Sequence, residues 1–138
     1  MREGCIFCRI AAGEVNAHRV YEDAETLAFL DIHPLTEGHT MVIPKQHYRK
    51  LEEMPVTEAG RLFETVRLVV EKVGQAMGTD SSTIGINNGR LAGQAVPHLH
   101  VHIVPRYPGD GGGTIHTIVH HPSSRSLDEV QKKIVALF

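Results

Sequence analysis

Between Pro97 and Pro105 the chain reads His98-Leu99-His100-Val101-His102-Ile103-Val104, histidine alternating with an aliphatic residue. Side chains of a β-strand point to opposite faces with period two, whereas a helix would scatter these residues around its axis. The segment is therefore expected to be a strand over residues 99–104. Leu99, Val101 and Ile103 would face a core, and His98, His100 and His102 would line the other face. A strand rises about 3.3 Å per residue, so successive imidazoles stand roughly 6.5 Å apart and lie side by side without touching. Imidazole titrates near neutrality and offers a lone pair when neutral, so such a row suits proton transfer, nucleophilic attack or metal binding.

A strand of this kind needs a sheet, and the flanking sequence supplies one. Residues 19–22 and 26–32 read as two strands joined through Asp23, Ala24 and Glu25; residues 39–43 read as a third, stopped by Pro44. Between them, His33-Pro34-Leu35-Thr36-Glu37-Gly38 carries turn signals. Leu62, Phe63, Val66, Val69, Val70, Val73 and Met77 recur at helical spacing, which predicts a long amphipathic helix with Thr57 as N-cap and Gly78 at its C-terminal end. Residues 82–87 read as a fourth strand, connected to the histidine strand by a Gly-bearing loop over 88–94. Ser126-Leu127-Asp128-Glu129 has the form of a capping box opening a short helix to about Leu137. The expectation is one α+β domain over residues 1–138: a mostly antiparallel five-stranded sheet, one long helix and a short C-terminal helix.

Charge and hydropathy narrow the partners. A formal net charge of −2 provides no basic field for nucleic acid. No apolar run approaches the ~20 residues of a membrane helix. Met1-Arg2-Glu3-Gly4-Cys5 lacks the charged-then-apolar order of a secretory signal. The expected setting is the cytoplasm, with a small molecule as partner rather than nucleic acid or a membrane.

An amphipathic strand whose solvated face happens to use histidine is one reading of the triad, and a three-histidine metal site is another. Neither accounts for Asn87-Asn88-Gly89 and Gly93-Gln94 just upstream, where amide donors and close-approach glycines suit an anionic ligand. The string His98-Leu99-His100-Val101-His102-Ile103-Val104 matches the signature of the histidine triad (HIT) family, and the resemblance extends over nearly the whole chain. It takes in Cys5-Ile6-Phe7-Cys8, Phe29-Leu30-Asp31-Ile32, Gly38-His39-Thr40-Met41-Val42-Ile43-Pro44-Lys45, Asn87-Asn88-Gly89 and Pro105-Arg106, and it is closest to the Hint-like bacterial and archaeal branch. That resemblance implies a HIT-like fold and a nucleotide hydrolase or nucleotidyl transferase releasing a nucleoside monophosphate from a nucleoside phosphoramidate. A dinucleoside polyphosphate hydrolase, or a nucleotide-binding module with little turnover, are the alternatives.

The family's roles carry over residue by residue. His100 would attack the α-phosphorus and become a transient nucleotidyl-histidine. His102 would contact a phosphate or leaving-group oxygen, and His98 would fix the proton on His100 through its backbone carbonyl. His39 matches a family histidine behind the triad. Asp31 would hold the ribose, unless it only caps the following turn. Ile10, Phe29 and Ile32 resemble the base pocket, and Asn87 and Gln94 the phosphate contacts. One position departs: Ala95 stands where the family has a phosphate-contacting serine. Imidazole's ordinary pKa of about 6.5 leaves it mostly neutral and nucleophilic at pH 7.

Cys5 and Cys8 are the chain's two cysteines, half of a tetrahedral zinc set. The resemblance implies a structural zinc completed by His47 and His98. A reduced pair packed as small hydrophobes, or a redox dithiol for which no surrounding helix is read, are the other readings. Arg106 is placed to meet a polyphosphate, residues 108–113 read as a flexible flap in a mobile stretch, and His116, His120 and His121 as solvated. The resemblance also implies a homodimer formed through the long helix and a strand.

Overall fold

The aliphatic half of the alternating segment lies against a long helix. The computed structural model describes residues 2–138. Its sheet comprises β1 (Arg19–Glu22), β2 (Thr26–Leu30), β3 (Thr40–Pro44), β4 (Ser82–Gly85) and β5 (Val101–Pro105), all antiparallel, in the order β1-β2-β3-β5-β4. The helices are α1 (Ile6–Ala11), α2 (Val56–Met77) and α3 (Leu127–Val135). This is the α+β arrangement expected. No helix is long and apolar enough to cross a membrane among the described residues.

Leu62, Val66, Val69 and Val73 of α2 are buried against Ala28, Val42, Leu99, Val101 and Ile103, the core of one face of the sheet. Burying such side chains stabilises by roughly 1.5–3 kcal/mol each, which makes this face the main support of the fold. The other face is covered as well. Cys5, Phe7, Cys8 and Ile10 from α1 and its N-cap pack there on Leu27, Phe29, Met41 and Ile43, forming a second core. His98 has no exposure and His100 only 7%. β2 and β3 are therefore buried on both faces, except at Leu30.

Several boundaries differ from the sequence reading for identifiable reasons. β2 ends at Leu30 because Asp31 turns the chain: its Oδ1 accepts the His33 N–H at 2.9 Å. Pro44 is the last residue of β3, opposite Thr26, where its missing N–H costs no ladder bond further on. β5 starts only at Val101, yet the alternation persists upstream because Leu99 N–H is held by Tyr48 O at 2.7 Å. α2 begins one residue before Thr57, with Pro55 at the N-cap and its carbonyl taking the Ala59 N–H. Gly78 closes α2 in the left-handed conformation, φ 71°, as expected.

The stretch after β5 has more order than expected at its start. Arg106 Nε and Nη2 donate to both carboxylate oxygens of Asp110 at 2.8 and 3.0 Å, while Nη1 reaches Gly113 O and Thr83 Oγ1. Asp110 in turn accepts the Tyr107 and Gly112 N–H groups. Residues 106–113 thus fold about one ion pair, and Arg106 is committed to that loop rather than held out for a polyphosphate. Ser126 caps α3 through the Glu129 N–H, yet no residue of α3 is buried.

Candidate active site

His100 sits at the centre of the histidine face. Its Nδ1 lies 2.7 Å from the carbonyl oxygen of His98. A carbonyl only accepts, so Nδ1 carries the proton and the lone pair is on Nε2. The edge of Phe7 meets the ring, centroids 5.1 Å apart, and the His102 ring meets it at 5.0 Å. The His100 and His102 rings therefore meet edge to face, 72° apart in plane, contrary to the spacing argument that kept them from touching.

His102 is flanked by Met41 on β3 and by Gly85 on β4, whose missing side chain leaves that flank open. His39 Nε2 is 2.9 Å from His102 Nδ1, and Asp31 Oδ2 is 3.6 Å from His39 Nε2. Burial, with the neighbouring imidazoles adding to it, holds His102 down at about 4 against a smaller upward pull from Asp31. Burial likewise lowers His39, against the same carboxylate. The turn delivering His39 depends on Gly38, at φ +87°, where a Cβ would stand 2.7 Å from Met77 Cγ and 3.3 Å from Pro105 Cγ.

The cysteines meet two histidines. Cys5 Sγ is 3.4 Å and Cys8 Sγ 3.6 Å from His98 Nδ1, and Cys8 Sγ is 3.3 Å from His47 Nδ1. The four donor atoms all lie within 4.8 Å of one another. The remaining hydrogen bonds fit a metal: His98 Nε2 donates to Pro44 O at 2.8 Å, leaving the Nδ1 lone pair facing the sulfurs. Burial, the largest influence, raises the Cys8 thiol, and for His98 it lowers the ring to about 4, so both groups are disfavoured as free ions. Two sulfurs and two imidazoles at these separations are a donor set that could hold zinc or a similar cation. The Cys pair straddles the start of α1, with Cys5 as N-cap accepting the Cys8 N–H; the sequence reading had no helix there.

The other expected residues are distributed around this centre. Ile10 and Phe29 are buried in the α1-side core, and Phe29 touches Phe7 at 5.5 Å between centroids. Ile32 is 77% exposed at the rim, just past Asp31. Asn87 is exposed on the loop after β4. Gln94 is spent on the backbone: Oε1 accepts from Gly89 N and Nε2 donates to Arg49 O. The basic residues Lys45, Arg49 and Lys50 are each paired, with Glu22, Glu53 and Glu52 respectively. Phe7 is the contributor that residue-level reading missed as a site residue; its signal was its place inside the Cys5–Cys8 spacing. A concavity of about 1030 Å³ lies elsewhere, between the end of α2, β4 and Pro108, and is lined by no imidazole.

Comparison with known proteins supplies the deciding observation. The family model for the HIT domain matches residues 12–109. The chain belongs to the HIT family. An uncharacterised HIT-like protein of Methanocaldococcus jannaschii is 47% identical over 94% of this chain and 98% of its own length. An adenylylsulfatase of Arabidopsis thaliana is 36% identical over 99% of this chain and 68% of its own. An adenosine 5′-monophosphoramidase of Schizosaccharomyces pombe is 40% identical over 74% of each chain. A crystal structure from Streptococcus mutans superposes on this HIT chain with TM-score 0.90 at 39% identity, covering 99% of this chain and 87% of that one. A zinc-bound histidine triad protein of Mycobacterium smegmatis superposes at 0.73 with 30% identity, covering 98% of both.

Proposed function

We propose that this HIT-family protein hydrolyses nucleoside phosphoramidates, releasing a nucleoside monophosphate through a covalent nucleotidyl-His100 intermediate. The observation carrying this reading is the 2.7 Å bond from His100 Nδ1–H to His98 O, which puts the lone pair of the neutral ring on Nε2, where a nucleophile is needed. Nε2 forms a bond to the α-phosphorus as the P–N bond to the leaving amine breaks; water then displaces His100 and releases the monophosphate. Splitting one displacement into two in this way needs no strong base. Asp31 holds the ribose, Ile10, Phe29 and Ile32 bound the base, and Asn87 contacts the phosphate. Gln94 acts on the phosphate by holding the Gly89 loop in place. The name of the Schizosaccharomyces relative, an adenosine 5′-monophosphoramidase, accords with this substrate class, and that of the Arabidopsis relative, an adenylylsulfatase, shares only the adenylyl part. Arg106, committed to Asp110, argues against a polyphosphate substrate.

Cys5, Cys8, His47 and His98 hold one structural zinc in this proposal. Four protein ligands leave no open position, so zinc would fasten α1 to the sheet and take no part in the chemistry. Metal analysis of reduced, chelator-free protein should give about one zinc per chain; less than ~0.2 would refute the assignment. The protein is a cytoplasmic homodimer of single-domain chains acting on a small nucleotide, not on nucleic acid or a membrane. Val56 and Phe63 exposed on α2, and a β4 edge whose four residues are all exposed, support the dimer. Assay of AMP release tests the function: adenosine phosphoramidate should turn over faster than diadenosine tetraphosphate, and His100→Ala should release none from either. The reverse preference would favour the dinucleotide branch.

A further inference from the structure

The turn before β3 contains a hydrogen-bond chain with only one consistent assignment of protons. Leu35 N–H donates to His39 Nδ1 at 3.1 Å. A ring nitrogen that accepts cannot also carry the proton, so neutral His39 is protonated on Nε2. That nitrogen faces His102 Nδ1 at 2.9 Å. Two N–H groups cannot oppose each other at such a distance, so His102 Nδ1 is the acceptor and its single proton is on Nε2. To become imidazolium, His102 would need a proton on Nδ1, which requires His39 to give up the Leu35 N–H bond.

We infer that the Leu35 amide and His39 are a positioning device that holds His102 as a neutral imidazole donating from Nε2–H. His102 then serves as a hydrogen-bond donor to a phosphate oxygen and keeps its proton throughout turnover. This rests on the phosphoramidate reading for its substrate but not for its proton assignment. In the first step the His100 Nε2 lone pair forms the N–P bond, and the P–N bond breaks with its electron pair on the departing amine. That nitrogen takes its proton from a solvent water and leaves as neutral amine; the hydroxide so formed is neutralised by the proton that the second water gives up as it displaces His100, and His102 loses nothing.

The surroundings agree. His100 and His39 are the imidazoles against His102, and its strand neighbours Met41 and Gly85 do not titrate. Asp31 is the one carboxylate facing the pair; its Oδ2 favours a cation, but its Oδ1 is occupied by the His33 N–H. Asp31, His39 and His102 also have the composition of a metal site. The proton that Leu35 forces onto His39 Nε2 removes the lone pair an ion would need, so the cluster is a proton chain.

Nitrogen-15 NMR of the zinc-replete protein without substrate tests the assignment between about pH 5 and 8. His102 should show one proton, on Nε2, and no titration; a doubly protonated ring or an Nδ1–H tautomer in that range overturns the inference. His39→Ala and Leu35→Pro, the second removing the N–H of a residue that is 75% exposed, should let His102 titrate nearer its ordinary value of about 6.5. An unchanged His102 in both variants would overturn the lock. In turnover, His102→Gln retains an N–H donor and should stay within about tenfold of wild type while His102→Ala falls further. A His102→Gln loss of roughly 10²–10⁴-fold, equal to that of alanine, would mark a general acid instead. Failure of AMP release with phosphoramidate would sink the substrate reading and leave the NMR result standing.

Discussion

Gly38 illustrates how a single residue without functional groups sets the site. Its φ of +87° and the approach of Met77 and Pro105 leave no room for a side chain, and the next residue is His39. Gly38→Ala combines left-handed strain with overpacking, so a loss of about 2–4 kcal/mol in urea unfolding is expected. A change below about 0.5 kcal/mol would mean that the turn accommodates a Cβ. At this scale the sequence was informative where chemistry demands a residue type in a fixed period: His98, His100 and His102 fall on one face as read. It was uninformative where a side chain's partner is distant in sequence. Arg106 faces Asp110 and Gly113, Gln94 turns to Gly89 and Arg49, and Ile32 stands at the rim, because contacts decide orientation and residue identity does not.

Among the elements, α1 was invisible to periodicity and yet packs with its N-cap on His98 and His100. Six residues are too few to display a 3.6-residue repeat, and cysteine is a weak N-cap signal compared with serine or aspartate. The long α2, with its buried residues at three- and four-residue spacing, was legible over nearly its full extent, and its start shifted only because proline occupies the N-cap. The burial of α1 rests on Phe7, Cys8 and Ile10 together with the Cys–His cluster. Chelating the proposed zinc under reducing conditions should therefore speed hydrogen exchange of the α1 amides at least tenfold while leaving α2 protected. Equal protection with and without chelator would show that apolar packing alone holds α1.

For the whole molecule, a mostly antiparallel five-stranded sheet with one long helix was readable in advance, whereas the strand order β1-β2-β3-β5-β4, in which β5 inserts between β3 and β4, was not. Assembly was not, since exposed apolar residues on α2 and α3 acquire meaning only once the sheet shows which faces remain uncovered. Val56, Phe63, Leu127 and Phe138 are all exposed in the single chain. Sedimentation equilibrium at micromolar concentration should give a dimer, and Phe63→Asp should yield a folded monomer. A wild-type monomer would remove the dimer from the account.

The covalent role proposed for His100 joins these scales: the extended segment just before β5 presents it, α1 buttresses it through Phe7, and the His98 carbonyl fixes its proton. Its most direct test is rapid mixing with adenosine phosphoramidate, quenching into alkaline denaturant and mapping the adenylyl group by mass spectrometry. The expected result is an adenylyl group on His100 that forms and decays with AMP release and is absent from His100→Ala. AMP release at the full rate with no adduct, or with the label on another residue, would contradict it.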